Sequence, residues 1–327
     1  MPIPHDPESR WWVEAAGTHP DLVGSLRPAL IAFVAFDRNR VPRIAGTGFI
    51  VAAEPEFALV CSAKHVFTEG VLAAQRPTRT HAASAIVVRA VDKTPSLDPN
   101  KLKVVRQEST NATMLNIDYL NYNDILDIAA CVLRPQEGES IAERLSIPLD
   151  TRVPSVGDVV HMVALEDMEV RELAPPGDWS GEGQQLSIFR RISIRVGVVT
   201  GVYPKGLRHY RWPAFTTSIP AKPGMSGGFV YRPREGVPIA ACGIVCADSS
   251  TEESHQDFLH CGDSVVGCAW PAIALRLPLS LPSYPKSPTR TLFEMVRRGL
   301  LPAPLGGIER FNLTETANGD CIIHEAT

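Results

Sequence analysis

The sequence has no apolar stretch long enough to cross a bilayer, which takes about 20 consecutive apolar residues. Its first residues, Met1-Pro2-Ile3-Pro4-His5-Asp6-Pro7-Glu8, lack the basic start and apolar run of a secretory leader. With Met1 as the start, the expected location is cytoplasmic. There is no excess of positive charge: 32 Lys and Arg stand against 36 Asp and Glu, a formal net charge of −4. That balance argues against a nucleic-acid binder held by bulk electrostatics, and no membrane partner is expected. The basic clusters Arg190-Arg191 with Arg195, and Arg297-Arg298, then read as solvated faces. Cysteine occurs in an odd number, seven, without paired C-x-x-C spacing. Cys61, Cys131, Cys242 and Cys246 fall in predicted strands and read as reduced, buried thiols. His255, His260, Cys261 and Cys268 offer a metal reading, but they match no zinc spacing and read better as a variable surface loop; no metal and no cofactor is expected.

What is present is ordinary for a globular protein: 327 residues, 44% hydrophobic and 21% charged. That length builds one large core or two modest ones. Residues 1–25 read as an N-terminal arm, with Arg10 to Ala16 a short helix ended by Gly17. Pro28–Phe36, Ile44–Ala53 and Phe57–Ala63 read as strands separated by short turns, an antiparallel meander. Val66 to Gln75 reads as a short helical piece. Ala85–Val91 and Leu102–Arg106 are strand candidates among polar loops, and Asp127–Arg134 completes a first set of strands. The second half repeats the plan: Val159–Leu165, Leu186–Val202, Phe215–Ser218, Phe229–Arg232, Ile239–Ala247 and Val265–Trp270. Glu166 to Gly183 reads as a loop. Residues 276–327 form a proline- and serine-rich linker, a helix from Thr291 to Leu301, and a hairpin from Ile308–Leu313 and Cys321–His324.

The chain is organised around Pro223-Gly224-Met225-Ser226-Gly227-Gly228. Glycines on either side of a serine make a tight turn and leave space beside the hydroxyl. The N–H groups of Gly224 and Ser226 can face the space where an acyl oxygen would become negative. The same pattern also describes a plain flexible turn, so the reading needs partners. A serine hydroxyl attacks only when a base takes its proton and an acid group orients that base. His65 follows the apolar run Phe57–Cys61, and Asp127 opens the apolar run Ile128–Leu133. Each lies at the edge of a predicted strand, where a side chain can reach a cleft.

These segments resemble the trypsin/chymotrypsin family of serine peptidases, in the bacterial form related to the HtrA/Deg proteases. Gly46-Thr47-Gly48-Phe49, Ser62-Ala63-Lys64-His65, Asp127-Ile128-Ala129 and Gly224-Met225-Ser226-Gly227-Gly228 match four of its patterns in order. Gly243-Ile244-Val245 resembles its substrate-lining strand, and Val266 to Pro271 resembles the segment closing its second barrel. The resemblance spans residues 26–275 and implies an all-β fold of two antiparallel six-stranded barrels. The first barrel would cover about 26–140 and the second about 150–275. It implies a triad of His65, Asp127 and Ser226, and an oxyanion hole from the Gly224 and Ser226 amides. Asp124, three residues before Asp127, is the alternative acid; the family's acid immediately precedes the strand, which favours Asp127.

Departures accompany the resemblance. There is no Ile-Val-Gly-Gly start, so activation by a cleaved N-terminus is not implied. Val66 stands where secreted members have a cysteine after the histidine. Cys246 and Ala247 replace a serine and an aromatic, and Asp248 lies near the pocket entrance or is a solvated turn residue. Pro220 occupies the place of trypsin's pocket aspartate. The tail is too short for the PDZ domain that HtrA proteases carry. Arginine outnumbers lysine, a bias of GC-rich bacterial genomes. The expectation is a serine endopeptidase acting on a protein or peptide substrate, with an activating protein partner as a further expectation. The alternatives are a partner-triggered component of a bacterial conflict module and an inactive protease-fold scaffold.

Overall fold

Apolar runs of five to seven residues dominate the strands, and the longest of them close on themselves. The computed structural model describes residues 11–36, 42–71, 102–108, 111–122, 127–135, 141, 146–172, 186–207, 212–246, 264–277, 290–315 and 321–325. Thirteen strands of the body are named β1–β13 in chain order. Six of them, β2 (Leu30–Phe36), β3 (Pro42–Glu54), β4 (Phe57–Ser62), β5 (Leu102–Glu108), β6 (Asn111–Tyr122) and β7 (Ala129–Arg134), form a closed antiparallel barrel in the order β2-β3-β4-β7-β6-β5. Closure leaves no open edge, and β4 can be buried along its whole length as Phe-Ala-Leu-Val-Cys-Ser.

The second set is β8 (Val159–Glu172), β9 (Leu186–Tyr203), β10 (Ala214–Thr217), β11 (Phe229–Tyr231), β12 (Ala241–Val245) and β13 (Ser264–Cys268). Their order is β9-β10-β13-β12-β11-β8, and β8 pairs back onto β9, so this sheet also closes as six antiparallel strands. The architecture is therefore the chymotrypsin-like double barrel that the motif order implies. The barrels share a core. Phe49 of β3 and Phe229 of β11 are fully buried, with ring centroids 5.2 Å apart. Each such ring contributes roughly 2–3 kcal/mol of burial.

Several elements differ from the sequence reading. The stretch expected to be a helix at Arg10–Ala16 contains β1 (Trp12–Glu14), an antiparallel neighbour of β9. A three-residue segment has little helical preference of its own, and the unpaired edge of β9 decides its state. The helix of this region comes later, at Pro20–Leu26. β6 is a strand that the sequence does not announce: its first residues, Asn111 and Ala112, belong to a polar stretch that reads as a surface loop. Its alternation is broken by a bulge between Ile117 and Tyr119, which hides the period of two. β8 runs on through the expected loop to Glu172, across a bulge at Glu166/Glu169 where Asp167 takes a positive φ of 50°. The expected helical piece after His65 is present as a π-helix over Val66–Val71, and residues 72–75 lie outside the described residues. The expected strand Ala85–Val91 lies outside the described residues.

The tail is sewn to the body. Leu305 donates its N–H to Leu149 and accepts from Thr151, in the link between the barrels. The helix Leu292–Arg297 is capped by Thr291 and Glu294 in a reciprocal box and buries Leu292, Phe293 and Met295. Phe311–Glu315 pairs with Cys321–Glu325 as an antiparallel hairpin. Among the described residues, no helix is long and apolar enough to cross a membrane.

Candidate active site

The antiparallel register of β4 and β7 brings two of the candidates together. Ser62, at the end of β4, lies opposite Ala129, at the start of β7. His65 leaves β4 three residues later and Asp127 enters β7 two residues earlier, so both project from one end of the barrel. They meet twice. The Asp127 carboxylate accepts the His65 backbone N–H at Oδ1 (2.9 Å) and faces the His65 ring Nδ1 at Oδ2 (2.7 Å). The two side chains are 16% and 11% exposed, so this contact is shielded from water on most sides. A carboxylate at that position favours the tautomer with the proton on Nδ1, which leaves Nε2 as the basic nitrogen.

The Ser226 turn, between β10 and β11, arrives from the second barrel and locks onto the first. Gly227 has φ +83°, and a Cβ there would lie 2.0 Å from the Thr47 carbonyl and 2.2 Å from Ser62 Oγ. Only glycine fits so close to the strand end that carries His65. The Ser226 carbonyl accepts the Thr47 N–H at 2.8 Å, and the Gly224 carbonyl accepts Thr47 Oγ1 at 2.8 Å. Thr47 Oγ1 also accepts the Leu165 N–H at 3.1 Å, and Thr47's carbonyl accepts Ser62 Oγ at 2.6 Å. One buried threonine thus joins β3, β4, β8 and the serine turn.

Within the turn, the Met225, Gly227 and Gly228 amides donate to the carbonyls of Lys222, Val245 and Met225. Gly224, at φ +90°, is not among these engaged backbone donors. Cys246 follows β12, is fully buried, and donates from Sγ to the Ile244 carbonyl at 3.2 Å and the Asp127 carbonyl at 3.6 Å. Burial raises its thiol pKa well above the ordinary range, so it is a packing residue behind Asp127. Ala247, Asp248 and the alternative acid Asp124 lie outside the described residues. So do His255, His260 and Cys261; Cys268 is buried in β13. No cluster of His, Cys, Asp or Glu among the described residues could hold a metal.

Two features escaped the sequence reading. Thr47 was visible only as the middle of a motif. Arg195, expected on a solvated face, is 1% exposed. Its Nη2 bonds the fully buried Glu166 (2.5 Å), its Nε faces Glu14 of β1 (3.3 Å), and its Nη1 holds the Pro220 carbonyl (2.5 Å). Burying a charge is costly unless it is paired, and here each arm of the fork has a partner. An available signal was Glu166, a carboxylate ending the apolar run Val159–Leu165.

A scan against protein-family models and a search of curated proteins each found no match. Among solved structures, the chain is similar to the MamO protease domain from Magnetospirillum magneticum in its apo form. That similarity has 12% identity and a TM-score of 0.40, and covers 74% of this chain and 92% of that one.

Proposed function

We propose that the protein is a serine endopeptidase that cleaves a protein or peptide substrate by acyl transfer at Ser226. His65 Nε2 takes the Ser226 proton as the oxygen attacks the carbonyl, then passes it to the leaving amine. Asp127 holds the imidazole orientation and stabilises its charged form. The Gly224 and Ser226 amides receive the developing oxyanion; losing one such donor costs about a hundredfold or more in rate. Water then clears the acyl-enzyme. The observation that carries this reading is the two-point grip of Asp127 on His65, through the backbone N–H and through Nδ1. A single ion pair would leave the ring free to turn; the second contact fixes the carboxylate to the same residue.

No cofactor takes part in this chemistry. A cytoplasmic location is part of the proposal. Supporting it, the described cysteines are all free and five of the six are buried. An unrestrained protease there would be harmful, so a single protein substrate is proposed rather than bulk peptide. The test is labelling of the pure protein with a fluorophosphonate beside Ser226→Ala. Labelling that disappears in the variant is the expected result. A folded wild type that stays unlabelled, alone and in cell extract, overturns the reading in favour of a scaffold.

A further inference from the structure

β1 and β10 lie end to end along one edge of β9. β10 occupies that edge from Tyr203 to Val199, where Thr217 is its last paired residue. The pairing finishes with the Ser218 N–H on the Val198 carbonyl, at 2.9 Å. β1 takes over at once, with Trp12 opposite Gly197, Val13 opposite Val196 and Glu14 opposite Arg195. Both strands run antiparallel to β9. With β1 seated, the chain after Ser218 has no edge left to pair with, and it turns away toward Ser226.

The junction is fastened at three points. Ser218 Oγ donates to the Trp11 carbonyl at 2.6 Å and accepts the Val198 N–H at 3.0 Å. Glu14 accepts Ser193 Oγ at 2.8 Å, the Ile194 N–H at 3.1 Å and Arg195 Nε at 3.3 Å. Arg195, with the Trp12 ring 5.1 Å from its guanidinium carbon, reaches past β1 to the Pro220 carbonyl. Burial would raise the Glu14 pKa, but these hydrogen bonds outweigh it and hold the carboxyl below its ordinary value. The far end of the same segment is held by Glu166, whose Oε2 lies 3.9 Å from Lys222 Nζ. Residues 218–222 are therefore gripped on both sides of Pro220 by groups that depend on β1 or on Arg195.

We infer that β1 is a positioning element for the Ser226 turn, with Glu14 and Arg195 as its positioning residues. Seating β1 keeps residues 219–226 off the edge of β9 and fixes the approach to the nucleophile. Unseating it frees that edge for the chain after Ser218 and loosens the turn. Its catalytic consequence rests on the acyl-transfer reading, whereas the coupling itself does not.

The experiment compares the full chain with Glu14→Gln and with Val13→Ala, whose side chain is 49% exposed on the same strand. Hydrogen exchange is followed across residues 218–228, together with the inactivation rate and the apparent affinity for a fluorophosphonate. In Glu14→Gln, exchange in this segment is expected to rise about tenfold while the rest of the chain stays protected. Maximal inactivation should fall about tenfold with little change in probe affinity. Val13→Ala should leave both at the wild-type level. Unchanged exchange in Glu14→Gln, or a rise spread over the whole chain, overturns the inference. Local loosening in a protein whose wild type does not label supports the coupling and overturns the acyl-transfer reading instead.

Discussion

Thr47, from the first barrel, holds the backbone of Gly224 in the second: its Oγ1 donates to the Gly224 carbonyl at 2.8 Å. The same oxygen accepts the Leu165 N–H, so a single hydroxyl is shared by the serine turn and β8. Thr47 is fully buried, and no water can replace it without a cavity.

Thr47→Val keeps the shape and removes the hydroxyl. It leaves the Gly224 carbonyl without this donor and the Leu165 N–H without this acceptor. Urea unfolding should show a loss of about 1–3 kcal/mol, the cost of stranding buried polar groups. Fluorophosphonate labelling of Ser226 should slow by on the order of tenfold or more, because the serine turn loses its outer hold. Thr47→Ser should restore both. Wild-type labelling in Thr47→Val would show that the turn holds its geometry unaided.

The parts of the site that were legible in the sequence are those set by short-range chemistry. Gly224 takes the positive φ, 90°, that its turn position suggests, His65 follows a strand and Asp127 precedes one, whereas the close packing of Gly227 on Thr47 could not be read. The illegible parts depend on contacts far apart in the chain. Arg195 is buried because Glu166 and Glu14, 29 and 181 residues earlier, come to meet it. From the sequence alone, an arginine near Arg190-Arg191 looks solvated. β1 is a strand only because β10 ends early and leaves β9 an open edge. β6 is hidden in the sequence because a register shift between Ile117 and Tyr119 interrupts its period of two. Both barrels could be expected from motif order, but the brace between the arm and the serine turn could not.

Gly227→Ala should be far more damaging than Gly236→Ala. Both glycines have positive φ, +83° and +68°. A Cβ at Gly236 meets nothing within 4 Å, whereas at Gly227 it would lie 2.0 Å from the Thr47 carbonyl. Gly236→Ala therefore carries backbone strain alone, about 1–2 kcal/mol. Gly227→Ala adds a clash between the barrels, and it should unfold at clearly lower urea and fail to label. Equal midpoints for the two variants would mean that the serine turn can withdraw from the first barrel.

Stability in mild acid should depend on His161. Its Nδ1 lies 2.9 Å from the Tyr231 hydroxyl. Burial, with a contribution from His19, lowers its pKa from 6.5 to about 4. Above pH 6.5 both folded and unfolded chains hold this ring neutral, so its contribution is fully present. As pH falls toward 4, the unfolded chain binds a proton that the folded chain refuses, and stability is lost. The loss is at most about 3 kcal/mol across that interval. His161→Gln keeps a partner for Tyr231 without a titrating ring. Unfolding free energies measured from pH 7 to pH 4 should fall less steeply in the variant. Parallel curves would assign the acid sensitivity elsewhere.

Asp127→Asn tests whether the two-point grip sets the histidine tautomer. The carboxylate offers two acceptors, one to the His65 N–H and one to the ring at Nδ1. An asparagine offers one acceptor and one donor. If its carbonyl keeps the backbone N–H, its amide nitrogen faces Nδ1 and forces the ring proton onto Nε2. A ring protonated there cannot receive the Ser226 proton. Labelling should fall by about four orders of magnitude, the scale seen for this substitution in serine protease triads. The thermal midpoint should move little, since the shape of the side chain is kept. Nitrogen chemical shifts of the His65 ring should report the tautomer directly, with the proton on Nδ1 in the wild type and on Nε2 in the variant. A variant that labels slowly with the proton still on Nδ1 would mean that Asp127 acts through its charge rather than by setting the tautomer.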